Sequence, residues 1–216
     1  MVKIIFVEGN VGSGKTSALD HIAGLGLENV TILREPVEEW RNVDGHNLLS
    51  LMYTETEKYA MSFQCFVFIS RMRQLLKAVG EGKEDVVAER SVVTDRYVFM
   101  ETMFQENKVT KTEMAIYNNL WDFWVDKLRV GGKDDEVEVE FLYISCDTDK
   151  CYSHILKRDR PEENGIRWNY LNALNEKHSV YERNVPLWNK DRKVTKIENL
   201  GTLGFFQKVE DYIKQI

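Results

Sequence analysis

The chain has 216 residues, 43% of them hydrophobic, which predicts one compact domain over residues 1–216 with a continuous core that needs no staples. A formal net charge of −6 argues against a nucleic-acid backbone or an anionic membrane as main partner, since either needs a basic face to displace counterions. Any bound anion must therefore be held by a local site. Cys65, Cys146 and Cys151 are odd in number and lack metal-ligand spacing, and no apolar run approaches the ~20 residues of a membrane span. The chain enters a strand-like segment directly at Val2, without the pattern of a cleaved signal, so free thiols and a cytoplasmic address are expected.

In chain order, Ile4–Val7 is a short apolar run that stops at Gly9, and Lys15–Ala23 has helical spacing, which makes a strand, a loop and a helix. Val30–Leu33, Val86–Ala88, Phe141–Ser145 and Val194–Ile197 are four further apolar runs, each too short for a helix. Helices are predicted at about 46–56, 57–79, 111–129, 148–158, 166–184 and 203–214 from apolar spacing and enrichment in Leu, Met, Glu and Lys. This alternation predicts an α/β fold with a central five-stranded parallel sheet flanked by helices. Two polar connections stand out: a charged turn over Gly131–Glu140, and an arginine- and glutamate-rich segment over Arg158–Gly165 that is expected to be mobile. There is no internal repeat or linker.

Gly9-Asn10-Val11-Gly12-Ser13-Gly14-Lys15-Thr16 matches G-x-x-x-x-G-K-[ST] between a buried strand and a helix start, where that pattern has its physical meaning. The glycines let backbone N–H groups converge on one point, the helix N-terminus adds positive potential, and Lys15 supplies a point charge for the β- and γ-phosphates. The Thr16 hydroxyl is then placed for Mg²⁺. ATP with Mg²⁺ is the expected ligand. Switches, motors and small-molecule kinases share this loop, so the rest of the chain must decide among them. The near match to the Asn-Lys-x-Asp of a guanine-binding switch is Asn189-Lys190-Asp191-Arg192, with arginine where aspartate belongs.

Arg34-Glu35-Pro36 follows the second strand at its carboxyl end, the edge where open α/β sheets place their ligands. A carboxylate there can orient an attacking hydroxyl or take its proton. Glu89-Arg90-Ser91 ends the third strand at the same edge, with Asp95-Arg96-Tyr97 a helical turn further on. An arginine in that place can clamp a transferring phosphoryl group, and its neighbouring glutamate can reach a metal. Arg158 and Arg160, with Glu163, form a lid at about 158–165 that could close over a triphosphate and exclude water.

These residues together resemble the deoxynucleoside kinase family, which holds deoxycytidine, deoxyguanosine, mitochondrial thymidine and insect multisubstrate kinases. The carriers are Glu8 through Thr16, Glu35-Pro36-Val37-Glu38-Glu39-Trp40, Leu51-Met52-Tyr53, Phe63-Gln64, Glu89-Arg90-Ser91, Asp95 through Phe99, and Arg158 through Glu163, in the family's order. The resemblance implies a P-loop kinase fold with an arginine-rich lid and ATP-dependent phosphorylation of a deoxynucleoside 5′-hydroxyl. It implies that Glu35 is the general base, that Arg90 stabilises the transferred phosphate alongside Lys15, and that Glu89 joins Thr16 in holding Mg²⁺. Tyr53 and Glu163 would bind the 3′-hydroxyl and Gln64 the base edge, with Phe99 stacked on the base and Trp40 and Phe63 lining the pocket. Arg71 and Asp95 would face the base. An Arg–Asp pair there resembles the deoxycytidine and deoxyguanosine kinases, whereas thymidine-preferring members carry smaller apolar residues. A carboxylate accepts from an exocyclic amino group and repels a carbonyl, so purine deoxynucleosides or deoxycytidine are expected over thymidine. The segments Glu35–Trp40 and Arg41–Gly45 lie closer to the insect multisubstrate enzyme, which leaves broad specificity open.

One position departs from the family, which carries a lid arginine where this chain has His154, with Lys157 nearby. His154 would be a weaker, pH-dependent phosphate ligand and is not expected to be catalytic. A homodimer packed through the helices near 46–79 and 111–129, and feedback inhibition by a deoxynucleoside triphosphate, are further implications of the resemblance. A thymidylate-type nucleoside monophosphate kinase shares the loop, the Arg-Glu-Pro and the Asp-Arg-Tyr, but the carboxylates after Pro36 oppose an acceptor phosphate. A non-catalytic nucleotide-binding regulatory module would not need Glu35, Arg90 and the lid arginines together.

Overall fold

The computed structural model describes residues 2–80, 85–131, 137–178, 181 and 193–215. Among the described residues five strands, β1 (Val2–Glu8), β2 (Val30–Leu33), β3 (Asp85–Glu89), β4 (Val137–Ser145) and β5 (Val194–Glu198), form one sheet in the order β2-β3-β1-β4-β5. All four pairings are parallel. β1 runs through the middle because Ile4 to Val7 are apolar on both faces. Ile4 and Phe6 enter one core with Phe63, Phe68, Met72 and Phe141, whereas Ile5 and Val7 enter the other with Leu19, Ile22, Leu142 and Phe205. The chain leaves β1 for one side of the sheet and returns for the other, so a crevice opens at the carboxyl ends of the strands near β1.

The helices are α1 (Lys15–Gly24), α2 (Val37–Arg41), α3 (Leu48–Thr54), α4 (Thr56–Gly80), α5 (Val92–Thr94), α6 (Glu101–Gln105), α7 (Lys111–Gly131), α8 (Thr148–Arg158), α9 (Trp168–His178) and α10 (Leu203–Ile213). The expected helix over 46–56 begins two residues late because Asn47 caps it, its Oδ1 accepting from Ser50 N at 2.9 Å. The helix predicted over 166–184 is formed as α9 to His178, and most of its remainder lies outside the described residues, as do residues 132–136 of the predicted charged turn and Asn189–Arg192. That turn is shorter than expected, since β4 already starts at Val137. Glu140 is tolerated inside the strand because Lys3 and Lys193 pair with it at 3.1 and 3.4 Å.

The helical stretch between Val92 and Gln105 is absent from the sequence-based expectations. Its two α-helical pieces flank a wide π-turn over Asp95–Met100, and the extra residue per turn breaks the 3.6-residue apolar period. The segment Arg158–Gly165 is built as the end of α8 and a short 3₁₀ turn, Pro161–Glu163.

Candidate active site

The loop after β1 is shaped by close contacts. A β-carbon on Gly12, which has φ of 79°, would sit 2.4 Å from the Cys151 carbonyl oxygen on α8, so this position admits only glycine. Gly14 has φ of 98° and turns the chain into α1. Three polar side chains tie the loop to different elements, one from the loop itself and two from outside it. Asn10 Nδ2 donates to Leu171 O at 2.9 Å, Asn199 Nδ2 donates to Ser13 O at 2.7 Å, and His154 Nδ1 lies 2.8 Å from Gly12 O. Lys15 curls back onto the carbonyls of Asn10 and Gly9 at 2.8 and 3.1 Å. Burial, and next the Arg90 charge, lower its pKa to about 7.

A cavity of about 620 Å³ opens over this loop. Of the residues singled out in the sequence, it gathers Val11, Gly12, Gly14, Lys15 and Thr16 with Glu35, Trp40, Tyr53, Phe63, Gln64, Arg71, Glu89, Arg90, Asp95, Phe99, Arg158, Arg160 and Glu163. His154 and Lys157 line it as well. Gly9, Asn10 and Ser13 lie behind its wall and are buried.

Arg71 is the hub of the deep end. Its Nη2 donates to Glu35 Oε1 at 2.6 Å, its Nε to Asp95 Oδ2 at 3.0 Å and its Nη1 to the Glu89 carbonyl at 3.0 Å. Arg90 approaches the same Glu35 oxygen with Nε at 3.1 Å and donates from Nη1 to Gly9 O at 2.7 Å. Burial alone would raise the pKa of Glu35, but Arg71, then Arg90 and Lys15, bring it down to about 2. Its side chain keeps 20% of its surface open, on the wall of that cavity. Asp95 is driven the other way: burial outweighs the attraction of Arg71, with Glu35 and Glu8 adding repulsion, and its pKa rises to about 6. Asp95 Oδ1 and Gln64 Oε1 are buried without a hydrogen-bond partner, two acceptors at the wall of the cavity.

Around them stand aromatic faces. Trp40 meets Phe63 edge-on at 5.8 Å and donates from Nε1 to Ser70 Oγ at 2.9 Å, and Arg90 lies 5.1 Å from the Phe99 ring. At the lid, Arg158 grips both carboxylate oxygens of Glu163 at 2.5 and 2.6 Å, while Arg160 stands 3.6 Å from it. The Tyr53 hydroxyl is held protonated by burial and by the charge of Glu163. Arg41 grips Glu162 at 2.9 and 3.1 Å, which ties the lid turn to α2.

Thr16 Oγ1 donates to Glu89 Oε1 at 2.7 Å, and burial, with Glu35 next, raises the pKa of Glu89. A hydroxyl and a carboxylate side by side at a phosphate loop are the hard oxygen donors that Mg²⁺ takes, so the donor set fits that ion.

Some residues had no role assigned from the sequence. Glu8 is fully buried and accepts from Ser91 N, Ser91 Oγ and Thr94 Oγ1 at 2.8, 2.5 and 2.6 Å. Val67 shares the cavity-facing side of α4 with Gln64 and Arg71, and that helical spacing was a usable signal. Met103 and Tyr170 carried none, and Met52 stood in the Leu51–Tyr53 block without an assigned role. Asn199 and Thr202 line the cavity after β5, at the strand edge where ligands gather.

Residues 5–215 match the family described as deoxynucleoside kinase. The chain belongs to the deoxynucleoside kinase family. It is 31% identical over 200 residues to deoxycytidine kinase 1 of Xenopus laevis, covering 83% of this chain and 74% of that one. It is 30% identical over 180 residues to a probable deoxycytidine kinase of fowlpox virus, covering 83% and 71%. Human mitochondrial thymidine kinase 2 is 31% identical over 179 residues, 82% of this chain and 63% of that one. A deoxynucleoside kinase is a phosphotransferase acting on nucleosides. Near-equal identity to relatives named for cytidine and for thymidine leaves the base to be argued from the pocket. Among the described residues no helix is long and apolar enough to cross a membrane.

Proposed function

We propose that this deoxynucleoside kinase transfers the γ-phosphoryl group of ATP to the 5′-hydroxyl of a deoxynucleoside, giving the 5′-monophosphate and ADP, with purine deoxynucleosides or deoxycytidine preferred over thymidine. The observation that carries the reading is the Glu35 carboxylate held by Arg71 and Arg90 in the same cavity as Lys15. Glu35 orients the 5′-hydroxyl for in-line attack. With a pKa of about 2 it is a weak acceptor, so it takes the proton late, as the bond to phosphorus forms in a loose transition state. Arg90, fixed by Gly9 O, meets the charge on the phosphoryl group in flight, and Lys15 turns from the loop carbonyls to the β- and γ-phosphates. Thr16 and Glu89 would hold Mg²⁺, which neutralises charge on the phosphate oxygens.

Tyr53 and Glu163 bind the 3′-hydroxyl, and the Arg158–Glu163 pair links that end of the nucleoside to the lid, which Arg160 completes over the phosphates. Gln64 reads the base edge while Phe99, Trp40 and Phe63 provide its aromatic walls. Asp95 Oδ1 is the acceptor that selects an exocyclic amino group. A homodimer is part of the reading, supported by outward apolar residues on α4 and α7. The test is kcat/KM with ATP for the four deoxynucleosides. Deoxycytidine, deoxyadenosine or deoxyguanosine is expected to exceed thymidine by about tenfold, and the reverse order would overturn the base assignment.

A further inference from the structure

His154 stands on α8 and lines the cavity beside Gly12 and Lys15, with its Nδ1 2.8 Å from the Gly12 carbonyl oxygen. A carbonyl oxygen only accepts, so Nδ1 carries the proton in this contact. The other ring nitrogen, Nε2, is then a lone pair when the imidazole is neutral and a donor when it is charged. Beside a phosphate loop the first form repels a phosphate oxygen and the second binds it. On the reading that this cavity holds a nucleoside triphosphate, we propose that His154 is a proton-gated ligand of the donor phosphates: binding of ATP takes up a proton at Nε2, and that contact is lost as pH rises.

The groups around the ring support this. Lys157 and Arg158 from its own helix, Lys15 from the loop and Arg160 from the lid line the same cavity. Of the carboxylates lining it, Glu163 is already engaged by Arg158 and Arg160, Glu35 by Arg71 and Arg90, and Glu89 by Thr16; α9 contributes the Tyr170 phenol, and the Cys151 thiol one turn earlier is buried. A polyphosphate supplies the counter-charge that this set of cations lacks. An arginine in place of His154 would donate at every pH, whereas histidine donates from Nε2 only in its charged form.

The test is KM for ATP between about pH 6 and about pH 8.5, at saturating deoxynucleoside, for the wild type, His154→Arg and His154→Asn. Lys15 also loses its proton across this range and contributes a slope common to all three proteins. The wild-type rise is expected to exceed that of His154→Arg by about tenfold. His154→Asn, which keeps a donor for Gly12 and has no second ring nitrogen, is expected to show a high KM already at low pH. Titration calorimetry of ATP binding in two buffers of different ionisation heat gives a second readout: proton uptake is expected to be larger in the wild type than in His154→Asn. Equal pH slopes and equal proton uptake in the three proteins would overturn the role of His154 and leave the kinase reading intact. Absence of turnover by the wild type at every pH would sink the kinase reading, and this proposal with it.

Discussion

Glu35 receives Arg71 Nη2 at 2.6 Å and Arg90 Nε at 3.1 Å on one oxygen, and that crowding of cations has two consequences for catalysis. Because its pKa lies near 2, Glu35 is ionised throughout the working range and does not generate the acid limb of the rate profile. On the proposed mechanism its contribution is orientation and late proton acceptance, so Glu35→Ala is expected to lower kcat by a factor of about 10²–10⁴ while ATP still binds; steady-state kinetics with an equilibrium titration of ATP checks both halves. Asp95 titrates differently. Above its pKa of about 6 it is a carboxylate that accepts from an amino group, and below it the protonated carboxyl can also donate to a carbonyl. Lowering the pH from about 7.5 to about 5.5 should therefore shrink the ratio of kcat/KM for deoxycytidine over thymidine, and Asp95→Ala with Arg71→Met should abolish the pH dependence of that ratio. A ratio that stays constant with pH in the wild type would remove Asp95 from base selection. At this scale the sequence was informative enough, through residue type and local spacing, to single out Lys15, Glu35 and Arg90, which line one cavity. It was silent on Arg71 as a hub, because a guanidinium shared by Glu35, Asp95 and the Glu89 carbonyl depends on three separate elements meeting.

The strain that aims Arg90 is distributed over elements. Arg90 has φ of 63°, a left-handed backbone costing a non-glycine residue about 1–2 kcal/mol, and it is fixed on either side. Its own N–H donates to Val7 O at 3.0 Å, and the next residue, Ser91, is held by Glu8 at the end of β1. Glu8 thereby couples the phosphate loop that follows it to the β3–α5 corner that carries Arg90. Glu8→Gln leaves one of these donors facing an amide N–H₂ and is expected to cost about 1–3 kcal/mol of stability, read by denaturant unfolding. If Glu8 positions Arg90, kcat falls while KM for ATP changes little, and Arg90→Lys combined with Glu8→Gln is less than additive in kcat. Full additivity would make Glu8 a fold residue only. Most elements were legible because short apolar runs bounded by glycine or charge leave few alternatives, and α8 starts and stops where its spacing predicts. The 92–105 stretch was not, since a π-turn erases the helical period that sequence reading relies on. The lid, too, looks in sequence like a solvated charge run; its ordering comes from Arg41 on α2 and from the Arg158–Glu163 pair.

Across the whole molecule, the net charge of −6 coexists with a cavity that collects Lys15, Arg71, Arg90, Lys157, Arg158 and Arg160 against Glu35, Glu89, Asp95 and Glu163, so its lining carries an excess of cations in a chain that is acidic as a whole. The apolar surface is also unevenly placed. Phe68 on α4 meets Tyr117 and Trp121 on α7 edge-on at 6.0 and 6.3 Å, which locks the two helices side by side. On their outward sides stand Ile69 and Leu76, 44% and 45% exposed, and Ile116 and Phe123, each 55% exposed. Within each helix the pair is spaced by seven residues, two turns, so each pair lies along one face. Large apolar side chains repeated along a helix face mark a contact surface more often than scattered exposure does, and two copies of this chain meeting there would bury the same faces on both partners. Ile116→Glu with Phe123→Glu places charge at the centre of such an interface, where burial of an unpaired carboxylate costs several kcal/mol. Sedimentation equilibrium is expected to show a dimer for the wild type and a monomer for the double variant. Because the cavity lies at the carboxyl ends of the strands and is lined within one chain, the monomer should retain turnover per site. A variant that remains dimeric would place the interface elsewhere, and a monomer that loses activity would show that the partner copy supports the site.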